Sequence, residues 1–158
     1  MTKTVLQHLQ THPFVAEFTP EHTALLASMA KEVSFTADHI IFKEGDDYTV
    51  FYLIEEGMVA LELESPGHVL RVQTLYRGDE LDWSALLPQA GKHFQARTLT
   101  PVTALAFEGE DLLAAFKRDP EFGLAFVMRV LGVVAERLRA TRLQLLDMYS
   151  PVARRAGA

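Results

Sequence analysis

Between Glu32 and Glu108 apolar residues recur at every second position, in short runs about ten residues apart. That period belongs to strands with one buried face, and it excludes a helical bundle for this half of the chain. Val33 and Phe35 open the pattern, and Ile40 and Phe42 continue it. Thr49–Glu55 and Met58–Ser65 read as two strands joined at Glu56-Gly57, a hairpin signal. Within them Val59, Leu61 and Leu63 are expected to face inward, and Glu62 and Glu64 to face water. Val69–Leu75, His93–Leu99 and Val102–Glu108 complete a set of roughly eight short strands, enough to close a barrel or jelly roll.

Helical periods flank this region. Val5, Leu6 and Leu9 mark a short amphipathic helix within residues 3–12, and Pro13 ends it. His8 and His12 stand four apart there and are expected to be solvated polar residues. Thr19-Pro20-Glu21 reads as a helix start, with Thr as the cap and Pro at the first helical position, followed by a buried stripe of Leu25, Leu26 and Met29. Leu112, Leu113 and Phe116 form another short helix, closed before Asp119-Pro120. The last helix is predicted over 120–149, with Leu124, Leu131, Leu138 and Leu145 seven apart and Val127, Val134, Thr141 and Met148 three after each. That is an a/d heptad pattern, the seam of a two-stranded coiled coil. Thirty residues span about 45 Å at about 1.5 Å each, longer than a small barrel. A homodimer through Leu124, Val127, Leu131, Val134, Leu138, Leu145 and Met148 is expected, the alternative being that this face packs on the chain's own barrel. The expected fold class is α+β: an eight-stranded antiparallel β jelly roll (double-stranded β-helix) with N-terminal helices and a long C-terminal dimerisation helix. Residues 1–12 form an N-terminal extension, 13–150 the domain and 151–158 a flexible tail.

Composition narrows the function. A net charge of −6 argues against a dedicated nucleic-acid binder, which carries a basic face. With no cysteine, disulfides, thiolate catalysis, iron–sulfur clusters and Cys-ligated zinc are excluded. There is no signal-peptide pattern and no apolar run long enough to span a membrane, so a cytoplasmic protein without membrane contact is expected. No HExxH, P-loop or GxSxG motif and no clustered His set appears, so no catalytic residue, no metal and no enzyme activity are expected.

The stretch Gly78–Thr100 interrupts the strands. Asp82–Leu87 is too short for a full helix and the rest is a loop leading into a strand. A short helix start in a β domain is a potential anion cradle, because its free N–H groups and dipole point outward. A plain loop closing one end of the barrel is the alternative.

Taken together, the chain resembles the cyclic nucleotide-binding domain, and more narrowly the sensor half of the cyclic-AMP receptor protein (catabolite activator) family, over about residues 13–150. The resemblance rests on Phe42-Lys43-Glu44-Gly45-Asp46, on Phe51–Val59, on Gly78-Asp79 and on Ala85-Leu86. Gly45, Gly57 and Gly78 stand where turns need positive φ. The resemblance implies a ligand site in a phosphate-binding cassette, where family members use a Gly-Glu-(Leu/Ile)-Ala-Leu run and a later Pro-Arg-(Ala/Ser)-Ala run. Aligned on Ala85-Leu86, Asp82 takes the Gly position and Trp83 the Glu position. Aligned back from Leu99-Thr100-Pro101, Lys92 takes the Arg position and His93-Phe94 the two small ones. The cassette positions are therefore Asp82, Trp83, Ser84, Ala85, Lys92 and His93, joined by Thr141 and Arg142 on the long helix, where the family places a base-contacting hydroxyl.

These replacements weaken the implied site. Indole only donates and cannot replace a carboxylate acceptor, and Lys lacks the two-pronged geometry of Arg. Two lost contacts of roughly 1.5–3 kcal/mol each amount to about two to four decades of affinity. Asp82 also brings a carboxylate to where a phosphate would sit. Trp83 is expected either to plug the core or to stack on a planar ligand. Thr141 is expected either to contact a ligand across the dimer or to bond the preceding helical turn.

The expectation is a non-enzymatic regulatory or sensor protein without cofactor, whose binding of cyclic AMP is weak or absent. It would be a homodimer with a small anionic ligand or a protein partner. The family's transcription factors carry a helix-turn-helix domain after the dimer helix; here only about nine residues follow it, so no DNA binding is expected. The alternatives are a ligand-free dimeric interaction module and a metal-binding cupin-like enzyme, which would need His39, His68 and His93 to converge.

Overall fold

The computed structural model describes residues 3–87 and 89–149. Helix α1 (Val5–Gln10) starts at Thr4, whose side chain accepts from Gln7 N–H while the Gln7 side chain accepts from Thr4 N–H, a capping box. A 3-10 turn (Pro13–Val15) leads to α2 (Pro20–Met29), capped by Thr19 with Pro20 in its first turn, as the sequence predicts. Strands β1 (Lys31–Phe35), β2 (Ile40–Phe42), β3 (Val50–Glu56), β4 (Val59–Ser65), β5 (His68–Leu75), β6 (Glu80–Leu81), β7 (Gln95–Thr98) and β8 (Val102–Glu108) follow. A second 3-10 turn (Trp83–Leu86) sits between β6 and β7, and α3 (Gly109–Arg118) and α4 (Pro120–Tyr149) close the chain. The strands form two antiparallel four-stranded sheets, ordered β1-β8-β3-β6 and β2-β7-β4-β5. This is the expected α+β jelly roll. The tail 151–158 lies outside the described residues.

Two cores share the first sheet. On β3, Val50, Tyr52 and Ile54 point between the sheets to meet Val59, Leu61, Leu75 and Leu81. The alternate residues Phe51 and Leu53 point the other way, onto Leu9, Phe14, Leu26, Leu112, Phe122 and Phe126 from the helices. The period-2 alternation of one strand thus feeds both cores. Phe14, Phe51 and Phe126 lie with ring centroids 5.1–5.5 Å apart. Two glycines permit the close approaches. At Gly57 (φ 93°) a Cβ would meet the Pro101 carbonyl oxygen at 2.3 Å, and at Gly109 one would meet that of Ala85 at 2.4 Å. The second contact seats the Trp83–Leu86 turn on the start of α3.

Three expectations are corrected. Glu62 does not face water: its residue is 2% exposed. The alternation itself holds, since Glu62 lies on the face opposite Leu61. Gln95, directly across on β7, and Arg97 cover it, donating to its carboxylate from Gln95 Nε2 at 3.1 Å and from Arg97 Nε and Nη2 at 2.9 and 2.6 Å. His12 is buried rather than solvated. Its Nδ1 accepts from Phe14 N–H and its Nε2 donates to the Ile54 carbonyl, which fixes a neutral ring; burial lowers its pKa. The strand expected over His93–Leu99 begins only at Gln95, because the Lys92 side chain turns into the interior and 92–94 run as loop.

Candidate functional site

The longest helix and the open end of the jelly roll enclose a cavity of about 210 Å³. Phe42 of β2, Leu61 of β4 and Leu81 of β6 supply an apolar floor. Between β4 and β5 the register shifts: Leu61 pairs with Gln73 and Glu62 with Arg71, which leaves Val72 as an extra residue. This bulge brings both Val72 and Gln73 to the cavity, where unbulged alternation would send one away. Asp82, Trp83 and Ser84 form one wall, Lys92, His93 and Phe94 another, and Val134, Arg137, Leu138 and Thr141 of α4 the lid.

Asp82 is the polar centre. It adopts a left-handed backbone (φ 73°, ψ 59°), a conformation that Asp tolerates better than most residues. Its carboxylate accepts from both the Ser84 hydroxyl and the Lys92 ammonium. The Lys92 and Asp82 side chains are only 3% and 4% exposed. Burial pulls the Lys92 pKa down to about 8, with Asp46 pulling the other way, so the ammonium keeps its proton at pH 7. Lys92 Nζ also lies 4.9 Å from the Phe42 ring centroid.

A second buried pair ties α4 to the roll. Arg137 Nη2 donates to the Glu80 carbonyl at 2.7 Å and lies 2.6 Å from Glu80 Oε1. The N–H aims at the carbonyl, so the carboxylate gains proximity rather than an aligned bond, and neither of its oxygens has a hydrogen-bond partner. Burial therefore pushes the Glu80 carboxyl above its ordinary range, against the pull of Arg137.

Of the sequence-predicted site residues, Asp82, Trp83, Ser84, Lys92, His93 and Thr141 meet around this cavity. Ala85 does not line it; it is 1% exposed and packs in the helical core. Arg142 is exposed and does not line it either. Trp83 does two jobs, packing partly against the helical core while one side faces the cavity. The Thr141 hydroxyl donates to the Arg137 carbonyl one turn back, at 2.9 Å. Sequence reasoning missed Glu80 and Arg137. Only the single arginine on the cavity side of a heptad helix hinted at them.

Along α4, Leu124, Val127, Leu131, Leu138, Leu145 and Met148 are exposed, between 45% and 73%. Val134 is not part of that free stripe; it packs partly onto the chain's own core. A straight helix drifts about 20° per heptad against a strict seven-residue repeat. The contact with the chain's own core therefore follows the four-residue row Phe122, Phe126, Val130 and Val134, which meets the heptad positions only at Val134.

Among the described residues one group has metal-ligand composition: the candidate atoms of His8, Glu32 and Glu55 lie within 4.8 Å of one another. His8 Nδ1 is already bonded to Glu55 at 2.6 Å, and the group shares no residue with the cavity. His39, His68 and His93 do not converge among the described residues.

The sequence matches the cyclic nucleotide-binding domain family over residues 32–119, more than half of the chain. The chain belongs to the cyclic nucleotide-binding domain family. A provisionally named cyclic nucleotide-binding protein of Geobacter metallireducens GS-15 is similar at 25% identity and a TM-score of 0.74, covering 87% of this chain and 99% of its own. The catabolite activator protein of Thermus thermophilus is similar at 26% identity and a TM-score of 0.71, over 87% of this chain and 63% of that one. A cyclic nucleotide-binding domain of Methylobacillus flagellatus KT, 17% identical, shares the fold at a TM-score of 0.77, covering 92% of this chain and 82% of its own. No functionally curated protein matches. No helix among the described residues of this cyclic nucleotide-binding domain is long and apolar enough to cross a membrane.

Proposed function

We propose that the protein is a non-enzymatic sensor, in which a small molecule entering the cavity shifts α4, and α4 passes the change to a second copy of the chain and on to a protein partner. One observation carries this reading: α4 is itself a wall of the cavity, through Val134, Arg137, Leu138 and Thr141. An occupant that fits one position of this wall better than another biases the helix toward that position.

The cassette is altered, and cyclic AMP binds weakly or not at all. Trp83 stands where family members carry the ribose-binding Glu, and Lys92 is engaged by Asp82 instead of facing an open anion site. Homodimerisation through the exposed Leu124, Val127, Leu131, Leu138, Leu145 and Met148 stripe covers apolar surface that a monomer leaves in water. A net charge of −6 speaks for a protein partner rather than DNA.

A cavity-filling substitution tests the coupling without a ligand. Leu61→Phe should change amide hydrogen exchange across residues 134–141 of α4. Unchanged exchange in a folded variant contradicts the sensor reading. It favours the second one, a ligand-free dimeric interaction module in which Asp82 permanently fills the anion position beside Lys92.

A further inference from the structure

The cavity has charges in its walls but offers none of them free. Lys92 is bonded to Asp82, and Arg137 is bonded to the carbonyl of Glu80 with the Glu80 carboxylate beside it. Each cation thus has a carboxyl group of its own chain against it. An incoming anion must displace Asp82 from Lys92, and an incoming cation must displace Lys92 from Asp82. Either exchange leaves one buried charge unpaired, the costly outcome for a buried ion pair.

What remains open to an occupant is mostly apolar, with Phe42, Leu61, Trp83, Phe94, Val134 and Leu138 joined by the polar side chains of Gln73 and His93. At the edge, the Thr141 hydroxyl has its proton committed to the Arg137 carbonyl, so it presents only acceptor lone pairs. An apolar cavity of about 150 Å³ holds one benzene. At about 210 Å³ this one has room for a single ring with a short substituent.

We propose that the cavity takes an uncharged, mostly apolar molecule of about one ring bearing a hydrogen-bond donor, held by the apolar walls with the donor on Thr141, and that it discriminates against anions and cations of the same size. This rests on the reading of the cavity as the sensor's pocket.

Benzamide, benzoate and benzylammonium share one ring and differ in charge, so they isolate the claim. Trp83 is the only tryptophan of the chain and lines the cavity, so its fluorescence reports occupancy directly. N-acetyltryptophanamide serves as the control for collisional quenching. At pH 7 benzamide should saturate the Trp83 signal in the millimolar range, with benzoate and benzylammonium at least tenfold weaker. In Asp82→Asn, which frees Lys92, the order of benzamide and benzoate should reverse. Should that variant fail to fold, the wild-type comparison decides alone.

Benzoate or benzylammonium binding wild type as well as benzamide, or benzamide failing to saturate, overturns the proposal. Cyclic AMP titrated in the same assay tests the weak-nucleotide reading separately. Micromolar nucleotide binding defeats that reading, whereas benzoate preference without nucleotide binding defeats only the ligand class.

Discussion

The Lys92 ammonium meets the Asp82 carboxylate inside the cavity, with both side chains almost free of solvent. Ten residues separate the two in the chain, and the loop between them folds back so that the cation nearest the pocket is neutralised by the residue that starts the Trp83–Leu86 turn.

Breaking this pair should destabilise the protein in a pH-dependent way. Removing one partner of a buried pair costs about 3–5 kcal/mol. Asp82→Asn keeps an acceptor, so about 3 kcal/mol is expected at pH 7. Because the Lys92 pKa lies near 8 in the fold against an ordinary 10.5, the unfolded chain holds a proton that the folded chain sheds between those values. Stability therefore rises with pH in that window. Without the Asp82 carboxylate Lys92 gives up its proton at lower pH than in wild type, so the deficit of the variant in urea unfolding should shrink as pH rises toward 8, and a deficit that stays constant across that rise would show that Lys92 is not the group released.

Glu62 should govern the acid limb. Its pKa is lowered chiefly by the hydrogen bonds from Arg97, against burial. Its contribution is thus fully present above pH 4.5 and is lost as pH falls through the lowered folded value. Glu62→Gln should lose about 1.5–3 kcal/mol at pH 7, the worth of hydrogen bonds to a charged group. The gap between wild type and variant in thermal melts should narrow steadily as pH falls below 4.5; a gap that does not change with pH would place the effect in packing.

The Arg137–Glu80 pair joins residues 57 apart and holds α4 on the roll. Arg137→Met leaves a buried carboxyl without a counter-charge, at a cost of about 3–5 kcal/mol. Since the raised Glu80 pKa favours the protonated form, that cost should fall toward pH 4. Adding Glu80→Leu should recover most of the stability. A double variant as unstable as the sum of the two singles would show that the residues do not act as a pair.

The sequence made the jelly roll legible because its alternation is strong and its hairpin glycines carry a backbone requirement, as the Gly57 contact with Pro101 illustrates. The Thr19-Pro20 start and the length of α4 followed from local chemistry in the same way. Glu62 and His12 were misread because their burial depends on neighbours distant in sequence: Arg97 and Gln95 in one case, Ile54 in the other. The candidate site was partly legible through its motif positions. The pairing that sets its electrostatics was not, because no pattern along one chain says that a loop lysine will meet a turn aspartate.

The α4 seam makes a prediction about assembly. Leu124 and Leu131 are exposed and line no part of the cavity, so replacing both with Ala perturbs the seam alone. Wild type should sediment as a dimer and the double variant as a monomer at the same concentration. A variant that remains dimeric would move the interface elsewhere.

The most direct test of the account is a calorimetric titration of cyclic AMP into the wild-type protein at pH 7. A cavity whose lysine is bound to Asp82, and whose turn presents Trp83 to the ligand, should give no binding heat at micromolar nucleotide. Stoichiometric binding with a micromolar dissociation constant would contradict it, and would mean that the nucleotide phosphate displaces Asp82 from Lys92.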